Sequence, residues 1–149
     1  MKPGEIYRHE AFYRNSSTGV LEPKYLIVLA RTPGDDVIAR LLTSRSHGRP
    51  EAPPCFHGNP YPGFYLGVLG DPLSAKSWVD LRKLDDLDSA GATRRQKDGV
   101  LKLVITLDTG RLAEVMDCVA GADDTTKQQE RSIRNQLAKI RDSPAGRRK

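Results

Sequence analysis

Apolar and polar positions along this chain fall into two kinds of run. Residues 25–30, Tyr-Leu-Ile-Val-Leu-Ala, are apolar at six successive positions. Both faces of such a segment need cover, as in a central strand of a small β-barrel or sandwich. A Thr32-Pro-Gly-Asp35 stretch follows, and Pro at its second position with Gly at its third predicts a type II turn. Residues 37–42, Val-Ile-Ala-Arg-Leu-Leu, then run into Thr43, Ser44 and Arg45. A buried strand thus delivers two hydroxyls and a cation to a loop mouth, where a rigid element can hold reactive groups in place.

Further strands are predicted at residues 6–14, 64–69, 77–81 and 100–107. In the last, Leu101, Leu103, Ile105 and Leu107 share one face, with Lys102 and Thr106 on the other, the pattern of a half-exposed strand. Helices come last. Leu112, Val115, Met116 and Val119 repeat at helical spacing behind Asp108-Thr-Gly110, with Gly121 as the stop. Residues 125–142 carry Ile133, Leu137 and Ile140 on a narrow stripe, opened by a Thr126-x-x-Gln129 capping box. Residues 85–99 read as a polar excursion with no packing obligation. Strands first and helices after predict a mainly β (β+α) fold, an antiparallel core with helices at one side.

Composition bounds this picture without changing it. A chain of 149 residues, 38% of them hydrophobic, makes one domain with a core of ordinary size. The longest apolar stretch is far below the roughly 20 residues that cross a bilayer, and Met-Lys-Pro-Gly-Glu has no apolar leader pattern. A soluble cytoplasmic protein with no membrane partner is expected. Cys55 and Cys118 show neither CxxC spacing nor a secretory context, so both are expected as free thiols, Cys118 as a small buried hydrophobe.

Charge changes more. The formal charge of +5 is uneven: residues 127–149 carry +6, leaving −1 over residues 1–126. A basic tail suits contact with nucleic acid or an acidic partner, Arg131 and Arg134 included, and equally suits a solvated helix with a frayed end. With only Ile133, Leu137 and Ile140 apolar there, removing the tail is expected to leave the fold intact.

Between Ser44 and Phe64 lies a loop with five prolines and three glycines, long enough to be either functional or disordered. Its His47, Cys55 and His57 lack the paired spacing of a zinc knuckle, and a single cysteine beside a histidine does not define a nucleophile. No metal or cofactor is expected.

The order of these features resembles the MazF/PemK family of toxin ribonucleases over roughly residues 3–120. Pro3-Gly-Glu-Ile-Tyr7 stands where that family opens its first strand with Pro-Gly-Asp-Ile-Tyr. A loop ending in Lys24 runs into the apolar strand, the next strand closes on Thr43-Ser44, and Ser77-Trp-Val-Asp-Leu81 matches a later Ser-x-Val/Ile-x-Leu segment. The family's Arg-Pro before its second strand is Lys24-Tyr25 here, and an ammonium is a point charge where a guanidinium grips phosphate bidentately.

The resemblance implies a small antiparallel SH3-like or CcdB-like β-barrel over residues 1–122, a basic C-terminal helix and tail over 123–149, a homodimer, and a cognate antitoxin. It also implies metal-free cleavage of single-stranded RNA, in which the ribose 2′-hydroxyl attacks the adjacent phosphorus. Lys24, Thr43 and Ser44 would hold the phosphate, and His57 or His47 would add acid or base function. Arg45, His47, Tyr61 and Tyr65 would contact RNA, the tyrosines by stacking on unpaired bases. Each has a plainer reading: Thr43 and Ser44 as strand-end caps, Lys24 as a solvated strand start, the tyrosines as loop packing. A binding module without catalysis, for nucleic acid or for a partner protein, fits the same residues.

One part of the site follows from pairing alone. Lys24 starts one strand of a hairpin and Thr43 ends the next, so antiparallel pairing brings them side by side.

Overall fold

Seven strands form one antiparallel sheet: β1 (Glu5–Arg14), β2 (Leu21–Arg31), β3 (Val37–Thr43), β4 (Cys55–Phe56), β5 (Gly63–Gly67), β6 (Ser77–Asp80) and β7 (Leu101–Thr106). Their order is β4-β5-β6-β3-β2-β1-β7. Three helices join it among the described residues, α1 (Ser89–Lys97), α2 (Thr109–Ala120) and α3 (Lys127–Asp142). The computed structural model describes residues 1–142, so the final basic cluster, Arg147, Arg148 and Lys149, lies outside the described residues. The predicted β+α class is therefore present. The sheet is open, because β4 and β7 stand at its two ends and no ladder joins them. None of the described helices is long and apolar enough to cross a membrane.

The run 25–30 is as deeply placed as its composition demands. Leu26 to Ala30 are all at 0% exposure, and fully burying one such Leu or Ile contributes about 1.5–3 kcal/mol. The two faces belong to different clusters. Ile27 and Leu29 pack with Phe64, Val79, and α2 and α3 residues such as Val115, Met116 and Ile133. Leu26 and Val28 pack with Tyr7, Val37, Ala39, Ala92 and Leu101.

Ala92 belongs to α1, which corrects the expectation for residues 85–99. Most of that stretch, Ser89–Lys97, is a helix, capped where Asp88 accepts the Gly91 N–H at 2.9 Å. Paired Val37–Leu87 backbone bonds of 2.8 and 2.9 Å anchor its entrance. Its apolar contribution is so small that no stripe shows in the sequence, yet the second face of β2 required a lid.

Two local expectations also change. Gly34 does not take the left-handed conformation that a type II turn requires; Asp35 does, at φ 70°. The hairpin is closed instead by the Asp35 N–H to Thr32 carbonyl bond (2.8 Å), with a left-handed residue after the turn, which aspartate tolerates. In β7, the register passes from Ile6 opposite Ile105 to Tyr7 opposite Leu103, a bulge that slips the alternation by one. Leu103 consequently faces solvent at 54% exposure.

Helices α2 and α3 start as predicted. Asp108 caps α2 through the Arg111 N–H, 2.9 Å. Thr126 and Gln129 close a reciprocal box at 3.0 and 3.4 Å. Gln129 does more than cap. With Thr125 it binds Arg40, a β3 residue at 0% exposure, through Oε1 at 2.9 Å and Oγ1 at 3.3 Å. The Ala39 and Leu84 carbonyls accept the other Arg40 bonds at 2.8 and 3.4 Å. Burial pushes this guanidinium below its ordinary pKa, opposed by the charges of Asp86, Asp124 and Asp80. Helix α3 is thus part of the folded core, with Ile133 and Leu137 at 0% and 2% exposure. Deleting residues 127–149 would uncover β2 and Arg40, contrary to the expectation that the tail is dispensable.

Candidate functional site

A cleft of about 480 Å³ opens where β2 begins and β3 ends, walled by the loops after β3 and before β6. Lys24, Thr43, Ser44, Arg45 and His47 all line it. The adjacency of Lys24 and Thr43 follows from register: Ile27 faces Arg40 and Leu26 faces Leu41, and the same phase continued places Lys24 opposite Thr43. Beyond Leu41 the strand β3 leaves β2 and pairs with β6, Leu42 opposite Val79 and Thr43 opposite Trp78. This change of neighbour spreads the strand ends and makes the cleft.

Thr43 plays its plainer role as well as facing the cleft. Its Oγ1 accepts the Arg45 N–H at 3.1 Å, which fixes the turn and leaves the hydroxyl proton free to be donated. Ser46 to Arg49 form the next turn, with the Arg49 N–H on the Ser46 carbonyl at 2.8 Å. Its central residues His47 and Gly48 have φ 48° and 84°, the left-handed pair of a type I′ turn. His47 is stacked on Tyr61, ring centroids 4.8 Å apart. Lys24 lies over the Tyr13 ring at 5.4 Å.

Three charged residues of this cleft were not anticipated: Arg49, Asp80 and Arg82. Arg49 is 4% exposed. Its Nε donates to the Pro62 carbonyl (3.1 Å) and its Nη1 to the Arg45 carbonyl (3.2 Å). Its Nη2 is 3.5 Å from an Asp80 oxygen but makes no hydrogen bond, so the contact is purely Coulombic. Gly63 makes this placement possible, since a methyl there would overlap the arginine stem. Arg82 grips Asp80 more fully, with Nη2 to Oδ2 at 2.7 Å and Nε to both oxygens at 3.1 Å.

Burial works to raise the Asp80 pKa. The hydrogen bonds from Arg82 and the charges of Arg82 and Arg49 outweigh it, holding this carboxyl below the usual carboxylate range. Arg49 is itself pushed down by burial, with Asp80 opposing. The guanidinium groups of both arginines stand over the Tyr61 ring, at 5.4 and 5.1 Å. Lys24, Arg45, Arg49 and Arg82 thus converge on a cleft with a single carboxylate among its lining residues, a field suited to an anion.

The sequence did carry one signal for the missed group. Asp80 stands between Val79 and Leu81 at the end of the buried strand β6, where an acid persists only if paired.

The other predicted residues lie elsewhere. Cys55 and Cys118 are joined in a disulfide, which corrects the reading of both as free thiols; Cys118 is buried as expected. His57 sits beside that bond, its Nε2 2.9 Å from the Cys118 carbonyl, and does not line the cleft. Tyr65 packs against Trp78 at 5.2 Å. Arg134 pairs with Glu130 at 3.0 Å and Asp117 at 3.3 Å on the α3 surface, and neither it nor Arg131 lines the cleft. Comparison of the chain with protein-family models, with curated proteins and with solved structures finds no match.

Proposed function

We propose that the cleft binds the phosphodiester backbone of single-stranded RNA and cleaves it, the activity of a toxin-like endoribonuclease. The observation that carries this reading is the convergence of Lys24, Arg45, Arg49 and Arg82 with the Thr43 and Ser44 hydroxyls around one cavity. Cations there neutralise the scissile phosphate and its neighbours, while the hydroxyls donate to the oxygens whose charge grows in the transition state. Arg82, half-exposed, brings to the cleft the guanidinium that Lys24 cannot, and the buried Arg49 adds its charge from behind. His47 is the acid or base candidate at the cleft; Asp80, held ionised by two arginines, is a positioning group and a poor base.

On this reading the sheet is an opened version of the SH3-like or CcdB-like barrel, the working unit is a homodimer, and an antitoxin partner restrains it. Incubating the purified protein with mixed-sequence single-stranded RNA tests the proposal. Products with 5′-hydroxyl and cyclic or 3′-phosphate ends are expected, and intact RNA after prolonged incubation would contradict cleavage.

A second reading has its own support. His47 is stacked on Tyr61 and Asp80 is saturated by arginines, so the same cleft could grip RNA without cutting it. Retention of intact RNA identifies that case.

A further inference from the structure

We propose that Cys55, His57 and Cys118 form a zinc site, held by the reduced chain between β4 and the C-terminal end of α2, in competition with the Cys55–Cys118 disulfide. The three donor atoms lie within 4.8 Å of one another. A tetrahedral site with Zn–S of about 2.3 Å and Zn–N of about 2.0–2.1 Å has N···S edges of about 3.6 Å. His57 Nε2 stands 3.4 Å from Cys55 Sγ and 3.6 Å from Cys118 Sγ. Two edges of the tetrahedron are therefore already in place, one from the local Cys55-x-His57 spacing and one across 61 residues of sequence to Cys118.

The surroundings allow the third edge to form. Cys118 is fixed on a buried helical turn, whereas Cys55 lies on a two-residue edge strand and is half-buried, so rotation about its side chain can part the sulfurs. Gly121 leaves the imidazole its space: a Cβ there would come within 3.3 Å of His57 Cε1. His57 is exposed and Cys55 half-buried, so solvent supplies a water as the fourth ligand from the open side of the cluster. Three protein ligands and a water make an open zinc site.

The chemistry balances with a dithiol reductant. Its two thiols pass two electrons and two protons to the disulfide, the Cys55–Cys118 bond breaks, and the reductant becomes a disulfide. Zn²⁺ then displaces both thiol protons and takes the His57 Nε2 lone pair. The imidazole carries its proton on Nδ1 and gives up the bond to the Cys118 carbonyl. Two thiolates and one dication leave the cluster neutral, which suits a partly buried place.

The test uses tag-free protein reduced with dithiothreitol, desalted under anaerobic conditions and titrated with Co²⁺. The expected result is the visible spectrum of tetrahedral thiolate-bound cobalt, saturating at one ion per chain, displaced by Zn²⁺ and absent from the oxidised protein. His57→Ala keeps both cysteines, so its oxidised form reports whether the variant folds, by disulfide mass and circular dichroism. In its reduced form cobalt affinity should fall about tenfold or more. No tetrahedral bands in the reduced parent would overturn the proposal, whether or not the chain keeps its fold. A reduced His57→Ala or His57→Gln variant with the parent's affinity and spectrum would overturn it equally. The outcome is independent of RNA binding, since none of the three residues lines the cationic cleft.

Discussion

Among the described residues two arginines are buried, and they are buried for different ends. Arg40 is enclosed between β3 and α3, bonded to Gln129, Thr125 and two backbone carbonyls, and it does not line the cleft. Arg49 is nearly as hidden, but it lines the cleft, shares Asp80 with Arg82, and keeps Nη2 without a hydrogen bond. Both have one unpartnered nitrogen, Nε in Arg40 and Nη2 in Arg49, so orphan atoms alone do not separate them. Their surroundings do. Neutral acceptors tie Arg40 to the fold, whereas Arg49 stands in a cationic group with one carboxylate and excess positive charge.

The largest effect expected from breaking this comparison is on stability. Arg40→Ala strands Gln129, Thr125 and two carbonyls without their donor and leaves a cavity, and should cost several kcal/mol in urea unfolding, about 1–3 kcal/mol for each buried acceptor left unpaired. Its per-molecule RNA affinity, measured on whatever fraction remains folded, should match the parent. The mirror case lies in the cleft. Lys24→Ala and Thr43→Ala should each lose about 10²- to 10³-fold in cleavage rate, the scale of one donor aimed at transition-state charge, while melting close to the parent. Lys24→Arg should keep or raise the rate. A cleavage rate unchanged in both alanine variants would remove catalysis from this cleft.

A smaller effect sharpens the contrast from a distance. Gly63→Ala puts a methyl into the Arg49 stem and should displace that guanidinium, weakening binding of a non-cleavable RNA about two- to fivefold by taking one buried charge out of the cleft's field. Parent-like affinity in a folded Gly63→Ala chain would show that Arg49 adds nothing to ligand binding.

The sequence made one half of this comparison legible. Lys24, Thr43, Ser44, Arg45 and His47 were found because a buried strand ended in polar residues and a hairpin must juxtapose its ends. Arg49, Asp80 and Arg82 come from separate loops and strands, and only the turn at His47–Gly48 and the β3–β6 pairing bring them together. Charge averaged along the chain also misled: residues 1–126 sum to −1, yet four of their cations gather in one place. Helix α1 leaves no stripe in the sequence because its packing rests chiefly on one alanine, and the Leu103 face is hidden because a bulge breaks the alternation. The disulfide escaped because compartment, not geometry, decided the reading.

The smallest effect concerns acid. Asp80 has a folded pKa below its unfolded value of about 3.9, so its contribution to stability is complete above that value and is lost as the pH falls through the lower, folded one. Asp80→Asn should flatten the stability profile in that acid window and leave its shape near neutrality unaltered, as read by thermal melting at a series of pH values. An unchanged acid limb would mean that the arginine pair does not hold Asp80 as described.

The central claim is that the solvent-accessible cations of the cleft contact RNA phosphates while the buried Arg49 adds to their field, and salt dependence tests that most directly. Fluorescence anisotropy with a 2′-O-methyl single strand separates binding from cleavage. Each phosphate contact contributes about 0.7 to the slope of log affinity against log salt. Lys24→Ala and Arg45→Ala should each lower that slope by about 0.7, and together by twice as much, while Arg134→Ala, on the α3 surface, leaves it unaltered. A double variant that binds with the parent's affinity and slope would contradict the account.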